Sequence, residues 1–138
     1  MGSRIETYRN VGNGTVSSRH VVIRLYETAE AHLNEAVTLL ADGEDPTSCL
    51  FKAQQIVGGL LTALDLEAGD MAQKLLQLYL FVLERIRVAH EEHRDPGLAA
   101  AVEVLARLRE GFETMPAEEA HNTARPLTMS AVGLHLKG

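Results

Sequence analysis

The sequence predicts an all-α fold, an antiparallel up-down four-helix bundle with a flexible N-terminal segment and a C-terminal tail. Apolar residues recur about every 3.6 positions in four segments, and no alternating strand pattern competes with them. Only a few residues connect one segment to the next. Short connections make consecutive helices antiparallel neighbours, which is the up-down arrangement. A chain of 138 residues fits one such domain.

The first helix is predicted over residues 18–41, with an inward side formed by Val22, Leu25, Ala29, Leu33, Ala36 or Val37, and Leu40. Asp42-Gly43 ends it, because glycine readily adopts the left-handed conformation that follows a helix. The second helix is predicted over 46–64, with Asp45 as the N-cap acceptor and Pro46 at the first helical position, where its missing donor costs nothing. Its inward side carries Leu50, Ala53, Val57, Leu60, Leu61 and Leu64.

The third helix is predicted over 70–93, after a short turn that holds Gly69, with an inward side formed by Met71, Leu75, Leu78, Tyr79, Val82, Ile86 and Ala89. The fourth is predicted over 96–115, between a second cap-plus-proline start and Pro116, and faces inward with Leu98, Ala101, Val102, Leu105, Leu108 and Phe112. The bundle therefore covers 18–115. The N-terminal segment, 1–17, and the tail, 116–138, are expected to be ordered only where something holds them.

Composition narrows the class of protein. The chain is 46% hydrophobic and 23% charged, as in ordinary globular proteins, and its formal net charge of -6 disfavours nucleic acid as a partner. Cys49 is the single cysteine, which suits a reducing compartment. The apolar run from Leu75 to Leu83 is too short to cross a bilayer, and the first residues lack the apolar stretch of a secretory signal. We expect a cytoplasmic protein without membrane insertion.

Motifs for catalysis or metal binding are weak. His90 and His93 are three positions apart, whereas the zinc-protease helix needs a spacing of four. A di-iron bundle needs core carboxylates and two Glu-x-x-His pairs, but the inward faces carry no carboxylate and Glu118 to His121 lies in the tail. Cys49 is best explained as a small hydrophobe near a helix start. These observations predict no enzyme, no metal and no cofactor.

Surplus apolar surface is more informative. Leu80 and Phe81 fall outside the arc that a bundle helix buries, and Leu76 and Leu83 lie at its edge. On the second helix Phe51, Gly58 and Thr62 lie beside the core arc. Gly58-Gly59 costs roughly 1 kcal/mol per glycine relative to alanine, which either a closely packed backbone or drift would explain. The surplus is either covered by the N-terminal segment or a homodimer contact, or forms a groove for a partner helix.

Several motifs, in order, resemble the flagellin-specific export chaperone family, FliS. Tyr8 precedes Thr15-Val16-Ser17-Ser18 by the seven residues typical of that family, and Leu25-Tyr26 follows at the typical distance. The resemblance continues through Lys52-Ala53-Gln54-Gln55-Ile56, through Leu64-Asp65 with Glu67 and Gly69, and through Ala72, Leu75 and Leu78-Tyr79. It covers roughly residues 8–115.

This sequence departs from the family pattern at Ser18, His20, Glu27-Thr28 and Lys74, and Gly58-Gly59 is also unusual. The resemblance implies a chaperone that binds the disordered C-terminal region of flagellin, prevents premature polymerisation and delivers the subunit to the flagellar export gate. An alternative is a divergent helical-bundle adaptor or regulator that acts by protein contact without binding flagellin.

The predicted partner-binding residues lie on one side of the second and third helices, with Tyr8 added from an N-terminal segment that caps the groove and competes with the client: Tyr8, Phe51, Gln55, Gly58, Thr62, Leu76, Leu80 and Leu83. The residues on the two helices share one groove for one bundle handedness and diverge for the other, which the residues alone leave open.

Overall fold

Four α-helices make up most of the computed structural model, which describes residues 18–95 and 97–115. They are α1, Ser18–Ala41, α2, Thr47–Thr62, α3, Asp70–Glu92, and α4, Leu98–Thr114. A 3₁₀ turn, Leu66–Ala68, lies between α2 and α3. The described residues contain no strand, and Leu64 forms only an isolated bridge. The predicted four-helix bundle is confirmed, and each observed helix end lies within two residues of its prediction.

The helices pack in chain order around one core. Each one contacts the next, and α4 returns to contact α1, so α1 and α3 face each other across the bundle. The most deeply buried large side chains come from all four helices and include Leu25, Leu33, Leu50, Ile56, Ile86, Leu98 and Leu105. Nearly all the predicted inward residues are buried or packed against this core.

Two tyrosines at the centre of the core were only partly predicted from the apolar periodicity. Tyr26 and Tyr79 are both buried, and their hydroxyl oxygens lie 2.6 Å apart in a hydrogen bond between α1 and α3. The ring of Tyr26 also meets the ring of Phe112 edge-on, with centroids 5.6 Å apart. Burial raises the pKa of both tyrosines, so both remain neutral. The prediction placed Tyr79 in the core and omitted Tyr26.

The starts of α2 and α4 correct one detail of the prediction. The Asp45 Oδ1 accepts hydrogen bonds from the Thr47 amide at 3.0 Å and from the Thr47 hydroxyl at 2.6 Å. Pro46, and not the predicted Asp45, stands at the N-cap position, and α2 begins one residue later than predicted. The Asp95 Oδ1 accepts from the Leu98 amide at 2.6 Å in the same way. Both aspartates satisfy amides of a first turn that has no intrahelical partner.

The two ends of the bundle can be told apart by their contacts. At one end the Arg19 guanidinium donates to the Met115 carbonyl at 2.6 Å, so the start of α1 lies against the end of α4. Farther along the same pair of helices, Arg109 donates to both oxygens of Glu30, at 2.9 and 3.2 Å. The opposite end holds the α1–α2 connection, where Gly43 has a φ of 74°, and the α3–α4 connection.

The surroundings of Gly58 bear on the two explanations that the sequence left open for this glycine. No described atom lies within 4 Å of the position that a Cβ on Gly58 would occupy. A closely packed backbone therefore does not account for this glycine within the described bundle. The glycine lowers helix propensity without a packing benefit there.

Candidate partner-binding groove

A cavity of about 590 Å³ lies between the first half of α2 and the second half of α3. We call it the α2–α3 groove. Its walls are formed from α2 by Thr47, Leu50, Phe51 and Gln54, and from α3 by Leu80, Leu83, Glu84, Ile86, Arg87, His90 and Glu91. This volume lies within the range of small-ligand and peptide pockets in proteins.

The apolar part of the groove continues the core outward. Leu50 and Ile86 are buried and belong to the core cluster, while Leu83 is half-buried. Beyond them Phe51 is 55% exposed and Leu80 is 46% exposed. A large apolar side chain gains about 1.5–3 kcal/mol when fully buried, so each of these two side chains retains roughly 1 kcal/mol to gain from a covering partner.

Charged side chains of α3 surround the groove near the end of that helix. Arg87 joins two carboxylates, with its Nε 3.2 Å from the Glu84 Oε1 and its Nη1 2.8 Å from the Glu91 Oε1. The hydrogen bond from Arg87 lowers the pKa of Glu84. With one guanidinium between two carboxylates, these three side chains have a formal charge of -1. The groove therefore combines an apolar floor with an excess of negative charge.

The position of the groove follows from the pairing of two antiparallel helices. Because residues 63–69 join α2 to α3, Thr62 and Asp70 lie at the same level of the bundle. Phe51 is eleven residues before Thr62, and Phe81 is eleven residues after Asp70. Phe51 is thus level with the stretch of α3 that carries Leu80 and Leu83. Apolar residues at the edges of both helices meet there and form one cavity.

The family described as flagellar protein FliS matches residues 1–119. The chain belongs to the FliS family. This is a family of flagellar chaperones and not a family of enzymes. No individual curated protein matches the chain. Within the described ranges, no helix of this FliS-family chain has the length and apolar character that crossing a membrane requires.

Three of the predicted site residues line the α2–α3 groove together: Phe51, Leu80 and Leu83. The others do not line this cavity. Gln55 and Thr62 are exposed on α2 and Gly58 is half-exposed, whereas Leu76 packs against the core. Tyr8 lies outside the described residues. The bundle handedness thus brings the two helix edges to one side, but the cavity lies nearer to the α1–α2 connection than predicted.

None of the six polar groove residues was predicted: Thr47, Gln54, Glu84, Arg87, His90 and Glu91. Those on α3 could have been predicted from the antiparallel pairing of α2 and α3, because that pairing places Phe51 level with the part of α3 that carries them. Steps of three and four residues from Leu80 lead to Leu83, Arg87 and His90 along one face of α3. The prediction followed α2 toward Thr62, which does not line this cavity.

The histidines and the cysteine of the described residues show no sign of a metal site or a reactive thiol. No group of three His, Cys, Asp or Glu residues in the described ranges could hold a metal ion. His90 and His93 are both exposed at the end of α3, where His93 has a left-handed backbone with a φ of 53°. Burial raises the pKa of the Cys49 thiol, which therefore has little thiolate character.

Proposed function

We propose that this chain is a cytoplasmic export chaperone that binds the disordered C-terminal region of flagellin in the α2–α3 groove. Binding keeps flagellin from polymerising prematurely and assists flagellar type III secretion. One observation carries the proposal: in a FliS-family chain, Phe51 and Leu80 stand exposed on opposite walls of a single apolar groove. Exposed apolar surface between two packed helices is suited to the apolar face of a third helix.

The physical properties of the groove fit a reversible chaperone. A disordered client that folds on binding spends about 2–5 kcal/mol of its interaction energy on ordering. Covering Phe51 and Leu80 contributes roughly 2 kcal/mol of apolar burial toward that cost. The remainder must come from other contacts of a client that wraps a larger surface. Affinity is then moderate for the area covered, and the client can be released at the export gate.

The charged rim makes the two ends of the groove electrostatically different. Arg87 and Glu91 lie toward one end, Glu84 lies between them and Leu80, and the opposite end is bounded by Gln54 and Leu80. An amphipathic client helix that carries a basic residue at one terminus would place it beside Glu91. Exposed charge pairs of this kind contribute little affinity but disfavour the reversed orientation.

We also propose that the N-terminal segment, residues 1–17, covers this groove in the free chain and competes with the client. Tyr8 can bury its ring while its hydroxyl remains in water, as tyrosines at interfaces do. Deleting residues 1–10 should leave the affinity for flagellin equal or raise it. A large loss of affinity would instead make the segment part of the binding site.

The deciding experiment is a titration of the full chain with a labelled peptide from the C-terminal region of the organism's own flagellin, followed by fluorescence anisotropy. Saturable binding that Leu80→Asp weakens supports the proposal. The control is Leu66→Asp, since Leu66 is 43% exposed and lies in the 3₁₀ turn away from the groove. Absence of binding by the folded parent would favour the alternative, an adaptor that contacts other proteins without flagellin.

A further inference from the structure

We propose that the end of this chain's own tail, residues 125–138, docks in the α2–α3 groove as a competing occupant. The family match ends at residue 119, so this segment lies outside the part of the chain that the family model covers. Docking of the tail does not depend on the proposed function. Only its consequence, that it lowers the affinity for flagellin, rests on that function.

The sequence of the tail has the chemistry that the groove accepts. Five large apolar residues fall within ten positions: Leu127, Met129, Val132, Leu134 and Leu136. The same ten positions contain no charged residue. Apolar density of this kind is unusual in a polar terminal extension and is more typical of a segment that packs against something. The groove offers Phe51 and Leu80 as exposed apolar partners.

Charge also favours this occupant. No acidic residue occurs between positions 120 and 138, whereas Arg125 and Lys137 flank the apolar stretch. The chain as a whole has a formal net charge of -6, so a purely basic segment stands out against it. The groove rim carries two carboxylates and one guanidinium. A cation at either end of the docked segment would therefore meet an excess of negative charge.

The length of the tail allows the contact. The contact between Arg19 and the Met115 carbonyl places the end of α4 beside the start of α1, at the end of the bundle away from the groove. The 17 residues of α4 span about 25 Å, and neighbouring helices lie about 8–10 Å apart. Twelve residue steps from Met115 to Leu127 reach up to about 40 Å when extended. They would reach only about 18 Å as a helix, so the proposal requires a largely extended linker.

The first test measures docking without flagellin. The receptor lacks residues 1–10, which removes the N-terminal competitor, and carries Leu134→Glu and Leu136→Glu, which remove the tail from the groove. The probe is a labelled peptide of residues 125–138. We expect a Kd on the order of 100 µM, weakened at least tenfold when Leu80→Asp is added and unchanged when Leu66→Asp is added. The proposal would be overturned if the peptide showed no saturable binding at millimolar concentration, or if Leu80→Asp left its Kd unchanged.

The second test measures competition. A tethered segment has an effective concentration on the order of 1 mM, so a Kd of about 100 µM leaves the groove about nine-tenths occupied. In a chain that lacks residues 1–10, Leu134→Glu with Leu136→Glu should then strengthen binding of the flagellin peptide about tenfold, because the apparent affinity falls with the competent fraction. The control, Thr128→Ala, changes the same segment without altering its charge or removing a large apolar side chain, and should leave the affinity unchanged. Equal affinity in the parent and the double variant would refute competition.

The two tests separate this inference from the proposed function. If the tail peptide binds in a manner sensitive to Leu80→Asp but flagellin binds no variant, the docking stands and the proposed client is wrong. If flagellin binds the parent and the tail peptide does not bind the double variant, the proposed function stands and the inference fails.

Discussion

Replacing Leu80 by aspartate tests whether the α2–α3 groove binds a client separately from whether it stabilises the fold. Leu80 is 46% exposed, whereas Leu75, five residues earlier on α3, is 4% exposed and belongs to the core. The same substitution at these two positions should therefore have different consequences. At Leu80 it should impair binding and leave the bundle folded, and at Leu75 it should unfold the bundle.

The expected magnitudes follow from burial. Full burial of a leucine is worth about 1.5–3 kcal/mol, so Leu80→Asp should cost the free chain about 1 kcal/mol. Repulsion from Glu84, one turn away, adds about 0.2–0.5 kcal/mol. In the complex the carboxylate would be covered by an apolar surface, and a total of about 3–4 kcal/mol corresponds to a loss of affinity of roughly 10²–10³-fold. Leu75→Asp places an unpaired carboxylate in the core, at a cost comparable to the whole stability of about 5–15 kcal/mol.

The assay combines thermal denaturation by circular dichroism with anisotropy titration of the flagellin peptide. Leu80→Asp should lower the Tm by about 4–8 °C and bind poorly, and Leu75→Asp should lack a cooperative transition. Leu80→Asn separates the lost apolar contact from the added charge. If Leu80→Asp binds like the parent, the groove is not the binding site. If it unfolds, Leu80 contributes to the core more than its exposure indicates.

Three further outcomes follow from the described residues. Tyr26→Phe or Tyr79→Phe should each destabilise the chain by about 1–3 kcal/mol, because the remaining buried hydroxyl loses its partner. The double variant should cost less than the sum of the two in urea denaturation, and strict additivity would contradict a coupled pair. Gly58→Ala should stabilise the fold by about 0.5–1 kcal/mol, because the space around the added methyl group is open in the described bundle. A lower Tm would contradict this expectation and show that another segment packs against Gly58. Burial, followed by the charge of Lys52, lowers the pKa of His32, so the unfolded chain binds this proton more readily than the folded chain. Stability should therefore rise as the pH increases up to about 6.5, and His32→Asn should reduce that dependence in pH-resolved melts, whereas an unchanged slope would rule His32 out as its cause.

The positions of the helices could be predicted because local signals agree along this chain. Asp45 and Asp95 accept hydrogen bonds from the first-turn amides, and Gly43 has the left-handed φ that ends α1. These are interactions between residues a few positions apart, so they are present in the sequence without knowledge of the partner helices. The same locality explains why the exact first residues of α2 and α4 were displaced by one or two positions.

Tyr26 shows where periodicity is insufficient. Its buried hydroxyl needs a hydrogen-bond partner. That partner, the hydroxyl of Tyr79, comes from a helix 53 residues away in the chain. The pairing depends on how α1 and α3 face each other across the bundle, which no local pattern contains.

The candidate site divides in the same way. The exposure of Phe51 and Leu80 could be predicted from their angular positions, because one helix buries only a limited arc against its neighbours. The handedness of the bundle, the level at which Phe51 meets α3, and the rim of Glu84, Arg87 and Glu91 depend on how two helices are placed against each other. Helical periodicity describes which side of one helix is apolar, whereas a groove also depends on the axial position and orientation of a second helix. Only the packed bundle supplies that second surface.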